Sequence, residues 1–277
     1  MNTMFMKHDR NALSGKTERN ILGRNQVAMT KGALYSLFLV LVLIATAVGK
    51  ERYSCPAAIH TLYSRNAISL DSASQHTVRV ISPDGKKTLL ARTVEDPKNQ
   101  DELQIRYTVK FAGKTFQTRL YGFNGEAAWS PDSHAFAVTQ TEGGGGLGSR
   151  VYIFYVDESG LRKLDVSLPI EKDFGNPVKC EVAVPPNTGF VAWKADSSTL
   201  LVAAEVVPVS ICHCMGTYRV YEVGLPARTI LKTYSQTEAK HQFWDLLGCE
   251  LRDADDRCVK TLERYINSKN SKLAIPK

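Results

Sequence analysis

The chain has 277 residues, 43% hydrophobic and 23% charged, the composition of a globular, core-forming protein of one large or two small domains. Its formal net charge of +7 disfavours nucleic-acid binding on closer reading. Residues 1–47 hold six Lys/Arg and two Asp/Glu, which leaves +3 for the rest, without a Lys/Arg cluster along the remaining sequence.

Residues 1–32 are polar and basic, lack hydrophobic periodicity, and read as a disordered n-region. They lead into "ALYSLFLVLVLIATAV" (33–48), an uncharged apolar run. A membrane span needs about 20 residues, so this run suits the h-region of a signal peptide, and Ala45-Thr46-Ala47 has the small-x-small form of a cleavage site. Cleavage there predicts a periplasmic or secreted protein. If the segment is retained, it anchors the chain in the inner membrane with the basic residues cytoplasmic, the only membrane association expected. Met1 and Met29 both stand as starts, because Met29 with Lys31 and the apolar run is a compact signal peptide by itself.

A linker is expected over 51–66, followed by a β domain over 67–235. There one pattern occurs three times: "RVISPDGKKTLLAR" (79–92), "AAWSPDSHAFAVTQ" (127–140) and "VAWKADSSTLLVAA" (191–204). Proline presets the turn backbone, aspartate hydrogen-bonds within the turn, and the large residue before it, Trp129 or Trp193 in two of the three, fills the core at a strand end. Each unit therefore starts with a hairpin, and further apolar stretches bring every unit to four strands. The turn aspartates, Asp84, Asp132 and Asp196, mark the period. Four strands per unit at such spacing is the sequence signature of propeller blades. The fold class expected is mainly β: three to four propeller-like, four-stranded antiparallel sheets with a C-terminal helical segment.

"AAWSPDSHAFAVT" together with "VYIFYVDESGLRKL" (151–164) resembles the TolB-like β-propeller repeat, and the resemblance extends over about 67–235 with three recognisable blades. It implies blade architecture and a bacterial envelope setting, and says little of function. A closed ring needs 4–8 blades. Either a degenerate fourth blade completes it, or a partial propeller has edges that another segment covers.

The C-terminal segment is the candidate cover, read as a helical hairpin over 236–267 before a disordered tail at 268–277. "SQTE" (235–238) is a capping box; Phe243, Leu246 and Leu247 share one helix face, and Val259, Leu262 and Ile266 another. Six cysteines (55, 180, 212, 214, 249, 258) in an exported chain favour disulfides. Cys249 and Cys258 flank the helix junction and are expected to pair, leaving Cys180 as a partner for Cys212 or Cys214.

Chemistry-bearing clusters are weak. "GGGGLG" (143–148) lies between strands rather than before a helix, so it reads as a hairpin loop and not a phosphate cradle. Cys212, His213 and Cys214 supply zinc or copper ligand types, but a structural site needs a fourth ligand that no nearby spacing provides. No G-x-S-x-G elbow occurs. The expectation is a non-enzymatic binding or scaffold module without cofactor or metal, whose partner is another envelope protein. Two alternatives remain open: a metal-dependent or hydrolytic enzyme centred on Cys212–Cys214, and a propeller remnant working with a separately encoded hydrolase domain.

Overall fold

The computed structural model describes residues 62–71, 76–96, 99–122, 124–141, 148–175, 184–207 and 214–273. The n-region, the apolar run, Cys55, Cys180, Cys212, His213 and most of the glycine loop lie outside them. Strand β1 (Ile68–Asp71) precedes three sheets that follow one another along the chain. The first contains β2 (Val78–Ile81), β3 (Lys87–Asp96), β4 (Asn99–Phe111) and β5 (Lys114–Tyr121). The second contains β6 (Asn124–Trp129), β7 (Ala135–Thr141), β8 (Ser149–Asp157) and β9 (Gly160–Asp165). The third contains β10 (Asn187–Trp193), β11 (Thr199–Glu205), β12 (Tyr218–Gly224) and β13 (Thr229–Ser235). Within each four-strand unit, neighbouring strands pair antiparallel and in chain order, as the sequence pattern predicts.

Alternation along the strands stacks these sheets. Phe136 and Val138 of β7 point into one core with Leu89, Tyr107 and Val109 of the first sheet. Ala137, one residue out of phase, points into the other core with Phe190, Leu200 and Tyr221 of the third. This is why β7 and β11 are buried along their whole length, whereas β5, at a sheet edge, alternates and leaves most of its residues exposed. Helix α1 (Ser167–Phe174) adds Ile170 and Phe174 to the core between the second and third sheets.

The far face of the third sheet is covered by the C-terminal segment, as expected. Helix α2 (Gln236–Phe243) opens on the predicted capping box at Ser235 and Glu238. Helix α3 (Cys249–Asp253) follows, and Ala239, Leu247 and Leu251 close over Leu201, Ala203, Tyr218 and Val220. Helix α4 (Val259–Leu273) buries Val259, Leu262 and Ile266.

Four expectations are corrected. The C-terminal segment is three helices rather than a hairpin, because α2 stops at Phe243 and Gly248, instead of ending a helix, precedes α3 as its N-cap. Helix α4 continues to Leu273, past the expected helix end at 267. Residues 62–66 do not form a free linker: Tyr63 is 2% exposed, and backbone hydrogen bonds tie Arg65 to Leu246 and Gly248 to Tyr63. The unit's strand count also differs in the second sheet, where β1 pairs with β6 and becomes a fifth strand.

The cysteine pairing differs as well. Cys258, at the start of α4, bonds Cys214, with Cα atoms 5.3 Å apart. Cys249 is also disulfide-bonded, and since Cys214 and Cys258 hold each other, its partner lies outside the described residues. The stretch from Ala254 onward leaves helical geometry and carries Cys258 away from Cys249, towards the loop that follows β11.

Candidate functional site

The repeated turns lie at one end of the three sheets and share one construction. Ser82 and Ser130 donate their hydroxyls to Asp84 and Asp132, both at 2.6 Å, and each carboxylate accepts the backbone N–H two residues on. In the third turn Lys194 replaces the serine. Asp196 there accepts from the Thr199 hydroxyl at 2.9 Å, so a different side chain restores the same closure. These hydrogen bonds hold the carboxylates below the usual range. For Asp84 the Ser82 hydroxyl is the main cause and lowers its pKa to about 2.

The turns also fasten each sheet to the next. Trp129 donates its indole N–H to the Val80 carbonyl of the first sheet, and Trp193 donates to the Ala128 carbonyl of the second, both at 3.2 Å. In the reverse direction the Asp84 N–H donates to Ser133 Oγ and the Asp132 N–H to Ser197 Oγ, both at 3.0 Å. Asp84, Asp132, Asp196, Trp129 and Trp193 are therefore equivalent positions of successive units. Ser133 and Ser197 are the partners that the sequence reading missed; their alignment with Gly85, a residue suited to positive φ, was the available signal.

Between these turns runs an apolar groove of about 400 Å³, bordered by Ile68, Ile81, Pro83, Pro131, Trp193 and Leu246. Ile81 occupies the position that Trp129 and Trp193 hold in the later units. Among the described residues no sheet precedes the first one, and Ile81 is 53% exposed; Ile68 of β1 is 40% exposed beside it. Exposed apolar groups gathered in a groove favour contact with an apolar partner surface.

Away from the turns lies a buried acidic pair. Tyr63 donates its hydroxyl to Glu205 at 2.9 Å, and its backbone N–H faces the Glu126 carboxylate. The Tyr63 ring lies so close over Gly189 that a Cβ there would come within 1.9 Å of it. Burial raises the Glu126 pKa to about 8, against the backbone N–H groups of Tyr63, Leu62 and Ser64; burial and the nearby Glu250 charge raise Glu205 as well. Each glutamate is 1% exposed, which seals both from any substrate.

The Cys212–His213–Cys214 alternative loses a ligand, because the Cys214 sulfur is committed to Cys258 and is not a thiolate. Among the described residues no cluster of three or more His, Cys, Asp or Glu is arranged to hold a metal ion. No described helix is long and apolar enough to cross a membrane. Neither protein-family models nor curated proteins give a match to this chain.

Proposed function

We propose that this protein is an exported, non-enzymatic binding module of the bacterial cell envelope, built from TolB-like propeller units. Its groove at the turn end takes an apolar segment of another envelope protein. The observation that carries the reading is the exposure of Ile81 and Ile68 between rigid turns. Ser-Pro-Asp turns, repeated with the same hydrogen bonds, support the TolB-like assignment, and the disulfides support export. Rigid elements that present an apolar anchor site suit protein recognition, since little ordering accompanies binding.

A photo-crosslinking residue at position 81, expressed in the native envelope, tests this. The expected result is one discrete adduct with a second envelope protein, lost when Ile68→Asp is added. No adduct at position 81, or the same adduct from a probe at exposed Tyr121, would reject the groove as the site.

A further inference from the structure

The outward face of the first sheet is the one sheet face in the stack that no described element covers, and its chemistry differs from every other. Cross-strand register puts Arg92 of β3 opposite Arg106 of β4, and Arg106 opposite Arg119 of β5. Three arginines from separate stretches of sequence thus stand abreast, with Arg79 in the next row of the same face and Lys110 in the row beyond it. Like charges placed directly across strands destabilise a sheet. A face needing only solubility would intersperse both signs. Among the described residues none of these side chains has a carboxylate within ion-pair distance, and the Nε of Arg106 is buried without a hydrogen-bond partner. Asp96 at the end of β3 is already engaged by Gln104 and Tyr121, both at 2.7 Å.

The row floors a cleft of about 220 Å³, lined by Thr77, Leu90, Arg92, Arg106, Thr108 and Gln117. We infer that this cleft binds a phosphorylated sugar, with the phosphate on Arg92 and Arg106. Guanidinium forks match phosphate oxygens bidentately, and a dianion between them would offset the mutual repulsion of the arginine row. The hydroxyls of Thr77 and Thr108 and the amide of Gln117 provide donors and acceptors for sugar hydroxyls, while Leu90 offers an apolar patch to a ring face. The cleft's volume of about 220 Å³ is on the scale of one small polar ligand.

Calorimetric titration of the purified, processed protein with glucose 6-phosphate, inorganic phosphate and glucose tests this. Glucose 6-phosphate is expected to bind more tightly than phosphate, and glucose not measurably. Arg92→Gln and Arg106→Gln should each weaken binding by about tenfold, the size of one lost charge-assisted interaction. Lys163→Gln on the second sheet should leave it unchanged. Because Arg92 is exposed, its variant keeps the test valid if Arg106→Gln fails to fold, which circular dichroism would reveal. Phosphate binding as tightly as glucose 6-phosphate, or affinities unaltered in Arg92→Gln, would overturn the proposal. Binding to phosphatidylglycerol vesicles without binding to the free sugar phosphate would overturn it too, and would assign the face to a membrane surface.

Discussion

Ser133 and Ser197 hold φ of 64° and 56°, a left-handed conformation that costs a serine about 1–2 kcal/mol, and Gly85 takes it at the equivalent place with φ 72°. The serines are tolerated because each hydroxyl accepts the aspartate N–H of the preceding turn. Two substitutions separate these effects. Ser133→Ala keeps the strain and loses the acceptor, and should destabilise by about 1–2 kcal/mol. Ser133→Gly also loses the acceptor but relieves the strain, and should cost clearly less. Urea unfolding midpoints decide, and equal losses would mean that the hydroxyl bond alone holds the position. The three aspartates were legible from their local turn chemistry. The serine partners were not, because a bond between residues 49 or 65 positions apart leaves no short-range trace.

At the scale of elements, strand number and order were legible because each four-strand unit pairs only with its neighbours in sequence. Strand β1 breaks that rule: "ISLD" shows a strand's composition, but nothing in it says that the partner is β6 rather than adjacent β2. Helix α2 and the apolar face of α4 were legible from capping and periodicity, whereas α1, α3 and the bond of Cys258 were not. Nearness in sequence favoured Cys249, but Cys249 is buried at the start of α3 while Cys258 reaches Cys214. The bridge spans a sequence separation of 44. A loop of that size gives about 4 kcal/mol in the chain-entropy model, an upper figure for a bond near the end of the fold. The Cys214→Ala/Cys258→Ala double variant should therefore lower stability by about 2–4 kcal/mol. Hydrogen exchange should show protection lost first in α4, with the central strands β7 and β11 retaining theirs. Uniform loss across all three sheets would mean that α4 is part of the cooperative core rather than a pinned cover. Non-reducing peptide mapping should recover a Cys214–Cys258 peptide.

Across the whole molecule, Tyr63 joins the segment before β1 to the second sheet through Glu126 and to the third through Glu205. Burial of those carboxylates couples the architecture to pH. The Glu126 pKa rises from 4.5 to about 8, chiefly because the charged form is desolvated, and Glu205 shifts in the same direction. The folded protein therefore keeps protons that the unfolded chain releases above its ordinary carboxylate pKa. Stability from this source is full below about pH 4.5, declines as pH rises, and levels off once the folded-state pKa is passed. Within that window the slope is on the order of 1 kcal/mol per pH unit for each such group. The turn carboxylates act oppositely, but their effect falls below their ordinary pKa, with Asp84 protonating only near 2, so it does not mask the decline. Melting temperature should thus be higher at pH 5 than at pH 8.5. Glu126→Gln keeps a carbonyl oxygen for the Tyr63 N–H and removes the charge; it should flatten the profile and stabilise the protein at pH 8.5 while changing little at pH 5. A variant that melts lower than the parent at both pH values would mean that Glu126 is held as a carboxylate, its three backbone N–H donors outweighing its burial.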